Sequence, residues 1–161
     1  MSIEITVTED RTQWDILTAR LRRSGGATIE AGLFSQKQAR KGFLNEVGSR
    51  DGKLPSRPWA STTADNSVDA IGAVAGKGVK AIIKGVDPKT AYTPTGKIIE
   101  DRLVDTIKGG RVPGPANAES TIRAKRHAQV LIGKRTNRKS RDPHMVDSIT
   151  HHVRVRKVAK P

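Results

Sequence analysis

Residues 45–59 are the most informative stretch for the fold, and they read Asn-Glu-Val-Gly-Ser-Arg-Asp-Gly-Lys-Leu-Pro-Ser-Arg-Pro-Trp. Ahead of them, apolar residues recur at helical spacing from Gln36 to Val47, so we expect a helix that Gly48 ends. Two prolines within four residues then fix the backbone, and the residue before each is driven into an extended conformation. The sequence therefore predicts a projecting loop from Gly48 to Trp59 and a stiff arm that holds Arg57 outward.

The Pro-Ser-Arg-Pro-Trp turn that closes this loop is a candidate surface for docking a partner. A proline-braced arm presents its side chains in a fixed position, and we assign the docking role to Glu46, Arg57, Pro58 and Trp59. The alternative is structural, with Trp59 closing the core while Arg57 pairs with Glu46. Both interpretations can hold together.

Alternation with a period of two predicts three β-strands. The apolar residues of each strand share one face: Ile3, Ile5 and Val7 in the first, Ile29, Ala31 and Leu33 in the second, and Ile149, His151, Val153 and Val155 in the last. The opposite face of the last strand is polar and is expected to meet solvent or another subunit. We therefore expect an α+β domain, with an antiparallel sheet covered by several helices and an extended projecting loop.

Helical spacing of apolar residues predicts the helices that cover the sheet. The first carries Trp14, which we place in the core. A second runs broadly from Asp65 to Lys84, where three internal glycines predict close packing: Gly72, Gly76 and Gly78. Residues 85–96 contain an Asp-Pro and a Thr-Pro dipeptide and are expected to form a loop, followed by a short helix from Lys97 to Lys108.

The composition predicts one domain spanning residues 1–161 that works as an oligomer. A chain of 161 residues is long enough for one core and short for two. Only 35% of the residues are hydrophobic and 3% aromatic, so the core rests on Val, Ile, Leu and Ala and its burial per residue is modest. Contacts with other subunits should add stability, and we expect an obligate homo-oligomer.

The excess positive charge belongs to the C-terminal quarter of the chain. There are 30 Lys and Arg against 16 Asp and Glu, a net charge of +14. Residues 1–119 hold 18 basic and 14 acidic residues, whereas the basic C-terminal segment, residues 120–161, holds 12 and 2. Such a segment suits a polyanion or an acidic protein surface, since basic clusters neutralise phosphates and release counterions. A solvated charged loop is the alternative.

No residue pattern indicates catalysis, a metal or a cofactor. The chain has no cysteine, which excludes disulfides and thiolate metal sites. His151 and His152 are adjacent and fall on opposite faces of a strand, so they do not share one metal easily. No set of nucleophile, base and orienting group stands out, and no apolar run reaches the roughly twenty residues that a membrane span needs. We therefore expect that the protein is not an enzyme, binds no cofactor and has no membrane partner.

Four short motifs occur in order along the chain. They are Asn-Glu-x-Gly at 45–48, Pro-x-Arg-Pro-Trp at 55–59, Asn-x-x-Ser-Thr-Ile-x-x-Lys at 117–125 and Met-x-x-Ser-Ile-x-x-x-Val at 145–153. In this order and spacing the sequence resembles the neck and tail-completion proteins of tailed bacteriophages. It departs from them at Asp142-Pro143-His144, where relatives often carry an Asp-Thr-Gly turn before the last strand.

The resemblance implies an architectural role in the virion. Proteins of that family form rings between capsid and tail, so a six-fold or twelve-fold ring is expected to meet the head-tail connector or adaptor and the tail terminator or tail tube. Its place would be the virion neck or tail, and the host cytoplasm during assembly. Four basic residues of the loop at 133–141 would line the lumen and face passing DNA without reading its bases: Arg135, Arg138, Lys139 and Arg141. The alternative function is that of a small basic DNA-binding protein without sequence specificity.

Overall fold

The computed structural model describes residues 12–116, 123 and 145–156. These residues form five α-helices, a short 3-10 turn and a two-stranded antiparallel sheet. In chain order the elements are α1 (Thr12–Ser24), β1 (Ala27–Leu33), α2 (Gln36–Val47), α3 (Trp59–Asp65), α4 (Val68–Ile83), α5 (Pro88–Lys108), the 3-10 turn (Val146–Ser148) and β2 (Ile149–Val155). The predicted α+β class is confirmed. The strand predicted around Ile5 and the basic residues Arg135, Arg138, Lys139 and Arg141 lie outside the described residues.

The sheet joins distant parts of the chain. β1 pairs antiparallel with β2, and Leu33 lies opposite Ile149 at one end of the ladder. The alternation predicted for β2 is confirmed, since Ile149 is buried and the following residues alternate between exposed and half-buried positions. On the outer face Arg154 pairs with Glu30 across 3.5 Å, an exposed contact that adds little stability.

Helix α5 lies at the centre of the core. It packs against both strands and against α4, and its residues Leu103 and Ile107 are buried. Trp59, Met145, Val146 and Ile149 complete the cluster of buried hydrophobic residues. Burying one such side chain stabilises the fold by about 1.5–3 kcal/mol, so a cluster of this size depends on every member.

The prediction that residues 85–96 form a loop is wrong, because α5 begins at Pro88 and runs through this stretch. Asp87 caps the helix, since one carboxylate oxygen accepts hydrogen bonds from the backbone N–H groups of Lys89 at 3.0 Å and Thr90 at 3.2 Å. A proline at the first helical position lacks only an N–H that the helix does not use. The Asp-Pro pair is therefore a helix start.

Pro94 lies inside α5, where it removes a backbone hydrogen bond at a cost of about 3 kcal/mol. Tertiary packing offsets this cost, because Ala91, Thr95 and Gly96 around it are buried. Gly96 lies against the ring of His151 on β2, so a side chain at this position would collide with that ring. The packing against α4 and β2 keeps the helix continuous past its proline.

Helix α1 lies at the surface. It packs on α4, where Nη1 of Arg20 donates a hydrogen bond to the carbonyl oxygen of Ile83 at 2.7 Å. Trp14 is 62% exposed, so the prediction that it belongs to the core is wrong. The apolar spacing of this segment correctly predicted a helix but not the depth at which the helix lies.

Helices α4 and α5 approach closely at one glycine. A Cβ atom on Gly78 would lie 2.9 Å from Cδ1 of Tyr92 and 3.0 Å from the carbonyl oxygen of Ala91. The predicted close packing is confirmed at Gly78. It is wrong at Gly72 and Gly76, where nothing lies within 4 Å of such an atom.

Gly78→Ala is expected to lower the free energy of unfolding by about 1–3 kcal/mol, because the new methyl group must push α5 away. Gly76→Ala in the same helix is the matched control and should raise it by about 0.5–1 kcal/mol, since it adds helix propensity in open space. Urea unfolding followed by circular dichroism measures both changes. Equal effects of the two substitutions would contradict the close approach of α4 and α5.

Candidate functional site

The loop from Gly48 to Pro58 joins α2 to α3, and hydrogen bonds tie its returning half to α2. The Ser56 hydroxyl donates to the carbonyl oxygen of Glu46 at 2.7 Å. The backbone N–H of Arg57 donates to the carbonyl oxygen of Asn45, also at 2.7 Å. We call this arrangement the α2–α3 clamp, formed by Glu46, Ser56, Arg57, Trp59 and Ser61.

Gly48 ends α2 as predicted. Its φ of 81° lies in the left-handed region that favours glycine, and its N–H donates to the carbonyl oxygen of Leu44 at 3.0 Å. A Cβ atom here would lie 2.9 Å from both the carbonyl oxygen of Leu54 and the nitrogen of Ser56. Only glycine therefore allows the returning loop to lie so close to the end of the helix.

Glu46 caps α3 from the neighbouring helix. Its Oε2 accepts a hydrogen bond from the backbone N–H of Ala60 at 2.8 Å, and its Oε1 accepts from the N–H of Ser61 at 3.0 Å and from the Ser61 hydroxyl at 2.6 Å. Pro58, at the cap position itself, offers no side-chain acceptor. The carboxylate thus satisfies the free N–H groups of a helix that cannot cap itself.

The charge of Glu46 is stabilised by these donors. Burial raises the pKa of its carboxyl group, but hydrogen bonds from the Ser61 hydroxyl and from the backbone N–H groups of Ala60 and Ser61 outweigh burial. The pKa of Glu46 is therefore lowered from its ordinary value. The carboxylate stays ionised at neutral pH and faces the positive end of the α3 backbone dipoles.

Trp59 anchors the clamp in the core. Its side chain is 5% exposed, and its indole Nε1–H donates to the carbonyl oxygen of Gly42 at 3.1 Å. A Cβ atom on Gly42 would lie 3.2 Å from Cζ2 of Trp59 and would also meet the side chain of Leu33. The small residue at 42 therefore lets α2 lie directly against the indole.

Arg57 points into the protein. Only 7% of it is exposed, and its Nη2 donates to the carbonyl oxygen of Pro115 at 3.2 Å. Burial lowers the pKa of its guanidinium group from the ordinary value. The backbone of Gly114, with φ of 123°, passes close to Arg57 Cγ, so the segment after α5 covers the clamp.

The four residues assigned to docking are thus brought together, but Arg57 and Trp59 are buried, and Glu46 and Pro58 are half-buried. The prediction that Arg57 is held outward on a stiff arm is wrong, because its side chain is nearly buried. The alternative interpretation is confirmed for Trp59, which closes the core. It is wrong for the pairing of Arg57 with Glu46, because the Glu46 carboxylate binds Ala60 and Ser61 instead. A direct docking role for Glu46, Arg57, Pro58 and Trp59 stays a prediction.

The longest exposed stretch of the loop is its tip, residues 50–54. The tip is held by its own hydrogen bonds: the Ser49 hydroxyl donates to Asp51 Oδ1 at 2.6 Å and accepts from the N–H of Leu54 at 2.8 Å. Hydrogen bonds from Ser49 and Lys53 lower the pKa of the Asp51 carboxyl group. The clamp therefore carries a short, ordered turn at the surface.

A second polar cluster joins α5 to β2. Nδ1 of His151 lies 2.7 Å from Glu100 Oε2, and Lys97 Nζ lies 2.7 Å from Glu100 Oε1. Burial raises the pKa of Glu100, but the hydrogen bonds from Lys97 and His151 outweigh it and lower the pKa. Within the described residues there is no group of three or more His, Asp or Glu side chains that could hold a metal ion. The described helices include none that is long and apolar enough to cross a membrane.

Sequence reasoning missed the helix that Glu46 caps. Proline is favoured at the first helical position, but Pro58 lies one position earlier, at the cap, so it gave only a weak signal of a helix start. The capping acid was harder to find, because it lies 14 residues before the N–H of Ala60 that it binds. A local capping pattern spans only three residues.

Glu46→Gln removes the charge of the α3 cap while keeping its shape. We expect the free energy of unfolding at pH 7 to fall by about 1–2 kcal/mol. Because folding lowers the pKa of Glu46, the charged cap contributes above the unfolded pKa and is lost as the pH falls through the lowered value. Urea unfolding at several pH values should therefore show wild type and variant converging at low pH.

The control for this experiment is Glu30→Gln on the outer face of the sheet. Its contact with Arg154 is exposed, so the free energy of unfolding should change by less than about 0.5 kcal/mol. A Glu46→Gln penalty that stays the same at every pH would contradict the role of the charge.

No protein-family model, no curated protein and no solved structure matches the chain. The α2–α3 clamp is therefore interpreted from its own geometry. Its hydrogen bonds connect the first two motifs of the sequence, Asn-Glu-x-Gly and Pro-x-Arg-Pro-Trp, into one unit.

Proposed function

We propose that the protein is an architectural component of a tailed-bacteriophage virion, forming a ring in the neck that joins or seals the head-side connector to the tail. The α2–α3 clamp is the observation that carries this proposal. Two of the motifs on which the resemblance rests lie seven residues apart in the chain, and Glu46, Arg57 and Trp59 bind them together. Their spacing thus has a physical cause.

The clamp supports a docking function through the loop that it carries. A loop that is already ordered loses less conformational entropy when a partner binds it. Since Arg57 and Trp59 are buried, the proposal assigns them, with Glu46 and Pro58, to positioning the tip at 50–54. The tip would then contact the connector or adaptor, or the tail terminator or tube.

Exposed apolar surface supports assembly with other subunits. Away from helix α2, large hydrophobic side chains are exposed on several of the described elements: Trp14, Ile16, Leu21, Phe34, Leu54, Val68, Val79, Ile83 and Val86. They outnumber the buried hydrophobic residues of the described core. Apolar surface of this kind is stabilised when neighbouring subunits cover it. The role proposed is therefore structural and not catalytic.

The net charge of +14 favours a second candidate, a small basic protein that binds DNA without sequence specificity. It accounts for the charge of the segment 120–161. Non-specific DNA binding does not account for the α2–α3 clamp or the ordered tip, so it is the less favoured of the two functions.

The mass of the purified protein separates these two functions. Size-exclusion chromatography with light scattering is expected to show one closed oligomer of six or twelve subunits at both low and high salt. A subunit that stays monomeric at every concentration, and binds duplex DNA with a steep dependence on salt, would contradict the ring and favour the second candidate.

The docking role is tested at the tip. In a phage that assembles with this protein, the variant Arg50→Ala, Lys53→Ala and Leu54→Ala should leave heads filled with DNA beside unattached tails in electron micrographs. Lys77→Ala with Lys80→Ala on α4 is the control, because these exposed residues lie on another element. Normal virions assembled with a stably folded tip variant would contradict the proposal that the tip docks a partner.

Arg57→Ala and Trp59→Ala test the positioning role. Joining of heads to tails should again fail, but with a fall in the free energy of unfolding, about 3–5 kcal/mol for the buried tryptophan. The tip variant should show the same assembly defect with unchanged stability. Normal joining in the Arg57 and Trp59 variants would show that the clamp does not position the tip.

The basic loop is tested by replacing Arg135, Arg138, Lys139 and Arg141 with Gln. If these residues face DNA, the slope of log affinity against log salt should fall by about 0.9 for each phosphate that the loop no longer neutralises. Replacing Lys77, Lys80, Lys84 and Lys89 with Gln is the charge-matched control. If the loop variant and the control variant have equal slopes of log affinity against log salt, the loop is solvated surface and does not contact DNA.

A further inference from the structure

Helix α2 is attached to the rest of the fold along one side only. Gln38 and Gly42 are buried, and Glu46 is turned toward α3. On the other side Phe43 is 64% exposed and Val47 is 54% exposed. These two residues are four positions apart, so they lie next to each other along one stripe of the helix.

Three cations flank this apolar stripe. Lys37, Arg40 and Lys41 are exposed and lie at helical spacing. The single acidic residue of α2 is Glu46, and its carboxylate is engaged with α3 on the far side. Among the described ion pairs none involves Arg40 or Lys41. This basic–apolar face of α2 is made of Lys37, Arg40, Lys41, Phe43, Leu44 and Val47.

The basic–apolar face carries an open groove beside Phe43 and Val47. A groove of about 500 Å³ runs along it, lined by Gln36, Lys37, Arg40, Lys41 and Leu44. Leu44 is the apolar residue of this lining, and Lys37, Arg40 and Lys41 are its basic residues. A groove of this size accepts several side chains of a bound segment.

We propose that the basic–apolar face of α2 docks an acidic amphipathic helix of a partner protein. Apolar side chains of that helix, spaced at three and four residues, pack against Phe43 and Val47 and enter the groove at Leu44. Asp and Glu side chains beside them pair with Arg40 and Lys41. The proposal rests on this face alone and stands independently of the neck ring.

Charge complementarity selects this occupant over a second copy of the chain. Two α2 faces brought together would place cations against cations, and this repulsion disfavours the contact. Helix α1 also carries basic side chains at Arg20 and Arg22, and the carboxylates Glu100 and Asp101 on α5 are already paired with Lys97. Exposed carboxylates on the other described helices, such as Asp69 beside Val68 on α4, are few, and contact with a second copy through them is one outcome of the test below.

The same face fits duplex DNA poorly. A phosphate backbone would satisfy Arg40 and Lys41, but it would leave Phe43 and Val47 against charged, hydrated groups. Non-specific DNA contacts come chiefly from Lys, Arg and small polar groups. Two exposed apolar side chains in the middle of the face favour a protein helix instead.

Synthetic peptides test this proposal directly. The probe is a fluorescent helical peptide with Leu at i, i+3, i+4 and i+7 and Glu at the flanking positions. One control peptide carries Lys in place of each Glu, and a second carries Ser in place of each Leu. Fluorescence anisotropy with the full chain is expected to show binding of the probe at least tenfold tighter than of either control.

Variants of the chain locate the site. Arg40→Glu with Lys41→Glu, and separately Phe43→Ser with Val47→Ser, should each weaken binding of the probe at least tenfold. Because all four side chains are exposed, thermal unfolding should stay close to that of the wild type. Lys77→Glu with Lys80→Glu on α4 is the matched charge reversal and should leave binding unchanged.

Three results would overturn the proposal. The first is binding that does not depend on charge: the chain binds the probe no more tightly than the Lys peptide, or the Arg40 and Lys41 variant binds the probe as tightly as the wild type does. The second is duplex DNA binding that the Arg40 and Lys41 variant loses while the Phe43 and Val47 variant keeps it, which would make the face a phosphate contact. The third is a change of oligomer mass in the Phe43 and Val47 variant with probe binding intact, which would assign the face to a second copy.

Discussion

The hydrogen bonds between the Glu46 carboxylate and the start of α3 hold the remaining parts of the clamp in place. Helix α3 has only seven residues, too few to be stable alone, and Pro58 cannot cap it. With Glu46 in place, the first turn of α3 is fixed against the end of α2, and the indole of Trp59 is held in the core. This contact fixes the α3 end of the loop between the two helices. The hydrogen bonds of Ser56 and Arg57 tie the loop to α2, and those of Ser49 order its exposed tip.

The clamp also divides α2 into two sides with different chemistry. The side that carries Gln38, Gly42 and Glu46 faces the fold, and it uses the only carboxylate of the helix. The side that carries Arg40 and Phe43 faces outward with positive charge and apolar area together. Because Glu46 is used to cap α3, the outer side of α2 carries only positive charge. Such a surface favours acidic partners and repels copies of itself.

Several elements were predictable from the sequence because their patterns are local. The period of two in β2 and the glycine that ends α2 follow from the backbone needs of a few neighbouring residues. The loop predicted at 85–96 failed because proline rules describe an isolated helix, while the packing of Ala91, Thr95 and Gly96 offsets the hydrogen bond that Pro94 removes. The predicted core position of Trp14 rests on helical spacing, which does not say how deep a helix lies, and the side chain is exposed.

By itself the sequence determined the α+β class, the strand at Ile149–Val155, the end of α2 at Gly48 and the presence of the clamp residues near one loop. Tertiary structure alone decided that Arg57 and Trp59 face inward, that Glu46 binds α3 and not Arg57, and which side of α2 is open. The reason is the range of the forces involved. Backbone preferences act over three or four residues, whereas burial and capping here join groups 14 or more positions apart, and only the folded chain brings those groups within bonding distance.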